Sequence, residues 1–143
     1  MHETQVTANI VKAFNAVEHC RVKKLHSGAY GGGQPDVTGV YRGYAFFIEV
    51  KKIDGLLSDL QAAELNKWRA AGAETFVGIF EPKTKMLAFV KLDPHEDWTQ
   101  FAGGDGVAEL WRTSVTQRAI LRNFDLQAWL DREVAGVANE AYA

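Results

Sequence analysis

The chain reads as one α/β domain of the mixed, α+β kind, with a central mixed β-sheet flanked by helices. Three observations predict this. A length of 143 residues suits a single domain with a real core. The element signals run helix, three strands, helix, two strands, helix. The stretch 44–51, Tyr-Ala-Phe-Phe-Ile-Glu-Val-Lys, is apolar enough for a buried strand.

Residues 3–19 have the pattern of an amphipathic helix, with Val6, Ile10, Ala13, Phe14 and Val17 on one stripe. Glu3, three positions before Val6, falls on that buried side. Residues 21–25 are a short strand. Residues 26–34 are a loop carrying Gly28, Gly31, Gly32 and Gly33. Residues 37–41 and 43–51 are strands joined by a turn at Arg42-Gly43. Residues 52–57 form a loop containing Gly55. A second helix starts at Ser58 and runs to about residue 71, where Gly72 stops it. Residues 74–80 and 85–91 pair around Glu81-Pro82-Lys83-Thr84. Residues 93–106 are irregular and acidic, and 107–112 fit a strand or a short helix equally. Asp125 is the expected N-cap of a last helix whose apolar stripe is Leu126, Trp129, Leu130 and Val134.

Composition excludes several classes. A net charge of −2 gives no whole-chain attraction for a polyanion. The single cysteine, Cys20, rules out an internal disulfide framework and fits a reducing compartment. No apolar run approaches the roughly 18 residues of a membrane span, and Met1-His2-Glu3-Thr4 lacks signal-peptide character. A bacterial or phage-infected host cytoplasm is the expected location. His2, His19, His26 and His95 are scattered, without zinc spacing. Glycines 31–33 lack the Lys-Ser/Thr of a P-loop, so no nucleotide cofactor is expected. Arg21, Lys23, Lys24 and His26 make a basic segment, and Asp93, Glu96, Asp97, Asp105 and Glu109 an acidic one. A solvated surface explains either equally well.

The chemistry lies in Pro35-Asp36, followed after twelve intervening residues by Glu49-Val50-Lys51. Strand alternation puts Phe47, Glu49 and Lys51 on one face, and Ile48 and Val50 on the other. Charge at the end of a buried strand is costly unless paired. Two carboxylates brought together repel and tend to stay protonated. A divalent cation resolves that conflict, and carboxylate oxygens suit Mg²⁺ or Mn²⁺ rather than zinc. Mg²⁺, carboxylates and a lysine together are equipment for phosphate-ester chemistry. Each residue also has a plain structural reading. Asp36 is turn chemistry, Lys51 neutralises Glu49, Glu3 favours a helix dipole, and Gln61 is the capping-box partner of Ser58.

The ordered set is Glu3 in the first helix, Gly33-Gln34-Pro35-Asp36, Ile48-Glu49-Val50-Lys51, and Ser58-Asp59-Leu60-Gln61. It resembles the PD-(D/E)xK nuclease superfamily, and within it the virus-type replication-repair nuclease (VRR-NUC) domain, a relative of the archaeal Holliday-junction resolvases. The resemblance spans roughly residues 3 to 80. Family chains usually have Gly directly before Pro-Asp, where this chain has Gln34. The resemblance implies a single nuclease domain over 1–143, with a restriction-endonuclease-like core over 3–91 and a C-terminal extension over 92–143. It implies Mg²⁺, with Mn²⁺ as a substitute, held by Asp36, Glu49, the main-chain carbonyl of Val50 and, directly or through water, Glu3. Lys51 would then hydrogen-bond the attacking water or a phosphate oxygen, and Gln61 would orient a water or the lysine. Arg21, Lys23, Lys24 and His26 would hold phosphates without reading sequence.

The substrate class implied is branched DNA such as Holliday junctions, cut by structure in DNA repair. Two opposed cuts call for a symmetric homodimer. The apolar content after residue 106, including Trp111, Phe124 and Trp129, suits either that interface or the core of one subunit. A sequence-specific restriction-type endonuclease and a non-catalytic nucleic-acid-binding module are the alternatives.

Overall fold

The computed structural model describes residues 2–25, 32–114, 118 and 124–136. His26, Gly28 and Gly31 of the glycine-rich loop lie outside the described residues. Five strands form one sheet in chain order: β1 (Cys20–Lys24), β2 (Val37–Tyr41), β3 (Tyr44–Lys52), β4 (Glu74–Glu81) and β5 (Met86–Val90). The pairs β1–β2, β2–β3 and β4–β5 are antiparallel, whereas β3–β4 is parallel. The sheet is therefore mixed, as expected. The parallel pair follows from the helix between β3 and β4, α2 (Asp59–Ala70), which carries the chain back to the starting end of the sheet. The β2–β3 turn needs Arg42 and Gly43 at positive φ, 49° and 89°, which matches the strand twist and pairs Tyr41 with Tyr44.

Alternation along β3 sorts the molecule into two cores. Phe46, Ile48 and Val50 join Ile10 and Phe14 of α1 (Glu3–Asn15), Phe76, Phe89, and Trp129 and Leu130 of α4 (Leu126–Glu133). The opposite face carries Val77, Ile79 and Ala88. It packs against Leu65 of α2, Trp98 of a 3₁₀ turn (Trp98–Phe101), and Val107 and Leu110 of α3 (Gly106–Thr113). Gly39 in β2 serves the first core. A Cβ there would stand 2.5 Å from Val22 Cγ1 and 2.6 Å from Phe46 Cζ.

One helix end differs from the sequence reading, and two alternatives left open there are decided. Residues 107–112 are helical, because Val107, Leu110 and Trp111 bury a single stripe at helical spacing. The first helix stops at Asn15, four residues earlier than its apolar pattern suggests. There the Asn15 amide turns to the edge of β1, donating to Val22 O (3.1 Å) while Oδ1 accepts from Val22 N (2.8 Å). The segment after residue 106 completes the core of one subunit. Trp129 lies 4.9 to 6.0 Å from the rings of Phe14, Phe76 and Phe89, and Trp111 is buried in the second core. Its physical reason is the length of the sheet: five strands present more apolar face than α1 and α2 can cover.

That cover is uneven. On the α2 face, the helices lie over β3, β4 and β5, and no described residue of β1 or β2 enters the second core. Val40, Arg21 and Lys23 are exposed there.

Candidate active site

The site forms where β2 runs out while β3 continues. The ladder's outermost pair is Val37 opposite Ile48; Asp36, the residue before Val37, extends the same register toward Glu49. The Asp36 carbonyl still accepts from Leu25 N (2.8 Å), which holds the strand entry on β1. The Asp36 side chain substitutes for the missing ladder partner, with Oδ2 accepting from Val50 N at 2.7 Å. In an extended strand the N–H and C=O of one residue point to the same edge. The Val50 carbonyl therefore points the same way as its N–H, beyond the end of β2, toward Asp36.

Glu49 is 2 % exposed, and its Oε2 has no hydrogen-bond partner among the described residues. Its pKa is raised from 4.5 to about 10. Burial is the main cause, followed by a hydrogen bond to Asp36 and the charge of Asp36. Lys51 pulls the other way, and Glu3 adds a small increase. The two carboxyl groups are thus close enough to share a proton, and a cation between them would favour the state in which both are charged. Lys51, 9 % exposed, lies two residues further along the same face. No ion pair among the described residues engages it.

This arrangement fits a hard divalent cation. An orphaned buried carboxylate oxygen, a second carboxylate beside it and a main-chain carbonyl on the same strand edge form an all-oxygen donor set of the kind suited to Mg²⁺ or Mn²⁺. The donor set is small. No group of three or more His, Cys, Asp or Glu side chains gathers around a common point among the described residues.

Glu3 stands at the margin rather than in the pair. Its Oε2 accepts from Lys52 N (2.9 Å) and lies near Gly55, where an added Cβ would be 3.4 Å from that oxygen and 3.7 Å from Lys51 Cδ. Glu3 therefore anchors α1 to the end of β3 and brings negative charge near Lys51. Gln61 serves the α2 capping box, with Oε1 accepting from Ser58 N (2.9 Å) and its own N–H donating to Ser58 Oγ (3.0 Å). Its Nε2 makes no hydrogen bond among the described residues. Capping and a site role are therefore compatible.

Four residues support the site in ways the sequence did not show, and Glu64 among them was not singled out there. Gly33 adopts φ 95°, and a Cβ there would come within 2.6 Å of Leu60 Cγ. This close approach seats the loop before Asp36 on α2. Gln34 Nε2 donates to Glu64 Oε2 (3.3 Å), which ties the same loop one turn further along α2. Glu64 lies three residues after Gln61, so helical spacing was the available signal. Gly55 makes the close approach described above, and only its loop position was legible.

The basic segment divides. Register places Lys23, Thr38 and Phe47 in one cross-strand row on the face of Asp36 and Glu49, and Arg21, Val40 and Ala45 in the next row. Lys24 pairs with Val37 and Ile48, so alternation assigns it to the opposite face. Lys24 is therefore separated from the face carrying the carboxylate pair.

A scan against protein-family models and a search of curated proteins each returned no match. Among solved structures, the chain is similar to Hjc of Archaeoglobus fulgidus, a Holliday junction resolvase from an archaeal hyperthermophile. That likeness has 20 % identity and a TM-score of 0.48, covering 66 % of this chain and 79 % of that one. The chain is also similar to a structure described as a VRR_NUC domain, with 29 % identity and a TM-score of 0.46, covering 57 % of this chain and 87 % of that one. Both are of the kind the sequence motifs resemble. No helix among the described residues is long and apolar enough to cross a membrane.

Proposed function

We propose that this protein is a Mg²⁺-dependent endodeoxyribonuclease that hydrolyses phosphodiester bonds in branched DNA. Mn²⁺ would replace Mg²⁺, and the active species would be a homodimer. The observation that carries the reading is the buried Glu49 carboxylate beside the half-buried Asp36, with Glu49 Oε2 left without a partner among the described residues. Burying an acid against a second carboxylate is unfavourable for folding. A pair that will hold a cation explains that cost better than a structural role does.

Asp36, Glu49 and the Val50 carbonyl would hold the cation, with Glu3 within reach of the same region. When bound, it supplies charge neutralisation at the phosphate and a lowered pKa for a water. Asp36 holds its orientation through the Val50 N–H. Lys51 extends from the same strand face, its stem shielded from solvent, and donates to a non-bridging phosphate oxygen or to the attacking water. Removing such a donor typically costs about 10²–10³ in rate. The free Nε2 of Gln61 can orient that water. Lys23 and Arg21 hold the phosphate backbone on the same face. No described element has the form of a base-reading helix, which favours recognition of DNA shape. Opposed cuts on a four-way junction then require two centres, one per subunit.

The test is cleavage of labelled four-way junction, flap and linear duplex with Mg²⁺ or EDTA. Asp36→Asn, Glu49→Gln and Lys51→Ala should each lose at least about a hundredfold in rate while retaining the parent circular dichroism spectrum. If Glu49→Gln cut within a few-fold of the parent, the cation reading would fail. Equal cutting of linear duplex would point to a restriction-type enzyme. A monomer in sedimentation with and without junction would remove the dimer.

A further inference from the structure

The half of the sheet beside the carboxylate pair is open, and its composition fits one kind of occupant. Moving away from Asp36 and Glu49, the first row on that face is Lys23, Thr38 and Phe47, and the next is Arg21, Val40 and Ala45. Rows lie about 6.7 Å apart along the strands, and strands about 4.8 Å apart across them. Lys23 and Arg21 thus stand one and two rows from the pair, along the outer strand. Val40, beside Arg21 on β2, is 47 % exposed. At the inner margin stands Trp68 of α2, its indole stacked on Phe47 with centroids 4.2 Å apart and planes 22° apart. Trp68 remains 36 % exposed, whereas Trp98, Trp111 and Trp129 are buried. With one ring face on Phe47, the accessible part is the other face and the ring edge. Two cations along one side, an exposed indole along the other and a low floor of Thr38, Val40 and Ala45 between them match the chemistry of an unpaired strand. Its phosphates need cations, and its bases need a flat apolar partner. A paired duplex buries its base faces and cannot use the indole.

We propose that the open β1–β2 face is a platform for a single DNA strand, with phosphates on Lys23 and Arg21 and a base stacked on Trp68. The proposal rests on the nuclease reading only for direction, since the platform leads to the Asp36–Glu49 pair. It narrows the substrate to branched DNA with an unpaired segment at the junction.

Because Trp68 is the one exposed tryptophan of the four, intrinsic fluorescence reports on it directly. The full chain in EDTA is titrated with a short oligo-dT and with a blunt duplex of equal length, following fluorescence and anisotropy. Oligo-dT should quench the emission at saturation and the duplex should not. Trp68→Leu should abolish the quench and weaken oligo-dT binding by about 5- to 150-fold, with duplex binding unchanged. Lys23→Gln should weaken both and reduce the salt slope of log K, by about 0.7 on the single strand. The parent quench stands without any variant. Saturation without quenching, equal quenching by duplex, or a Trp68→Leu affinity within twofold of the parent would overturn the proposal. So would concentration-dependent shielding of Trp68 from acrylamide without DNA, which would assign the face to a second copy. Since EDTA excludes cleavage, quenching by a protein that cuts nothing would leave the platform standing and remove the nuclease reading.

Discussion

Replacing Glu49 by Gln should make the cation-free protein more stable at neutral and alkaline pH. Glu49 has a folded-state pKa of about 10 against an ordinary value of 4.5, because it is buried beside Asp36. The unfolded chain releases its proton near 4.5, while the folded chain keeps it until about 10. Between those values the unfolded state binds fewer protons, so stability falls as pH rises through that window. By pH 7 the accumulated loss is about 3 kcal/mol at most, since each pH unit of this window contributes about 1.4 kcal/mol. Gln matches the volume of protonated Glu, can donate to Asp36 and does not titrate. The variant should therefore melt about 6–12 °C above the parent at pH 7 in EDTA, at 2–4 °C per kcal/mol. The gap should close toward pH 4.5 and widen toward pH 9. Mg²⁺ should close most of that gap at pH 7. At a hundred times its dissociation constant it should stabilise the parent by about 2.7 kcal/mol and leave Glu49→Gln nearly unmoved. Thermal unfolding by circular dichroism across pH, with EDTA or Mg²⁺, reads all of these. Parallel pH curves for parent and variant, or a lower melting temperature for Glu49→Gln at pH 8 in EDTA, would refute the account of the pair.

Two further substitutions test how the site is held. Gly33→Ala forces a side chain into φ 95° and toward Leu60, so it should cost about 1–3 kcal/mol in melting experiments. It should also lower the cleavage rate more than Ser58→Ala, which removes a helix cap worth about 1 kcal/mol without moving Asp36. Asn15→Ala uncovers the N–H and C=O of Val22 at the β1 edge. It should cost about 1–3 kcal/mol and produce aggregates larger than the parent species in sedimentation, because an open edge invites strand pairing.

Sequence alone determined the elements whose signals are local. The two-residue turn at Arg42-Gly43, the Ser58 capping box and the Asp125 cap with its stripe are short-range chemistry, and each is present as read. The alternation that placed Glu49 and Lys51 on one strand face is equally local, because the strand period does not depend on partners. Local pattern failed at residues 107–112, where a single apolar turn fits either period, and contact with the second core selected the helix. It also failed at residues 16–19, where an apolar residue at the right spacing hid a helix end that Asn15 and the β1 edge impose. Which face Lys23 and Lys24 occupy depends on the β1 register, and hence on which of Cys20 and Arg21 reaches the core. The encounter of Asp36 with Glu49 was expected from their order. Its energetic character was decided only by the fold, which buries Glu49 Oε2, starts β2 one residue after Asp36 and seats the preceding loop on Leu60 and Glu64. Burial and long-range contact arise from residues far apart in the chain, so no window of sequence contains them. The same reason hid the open β1–β2 face: it exists because the covering helices end over β3, a property of the packed sheet rather than of any strand within it.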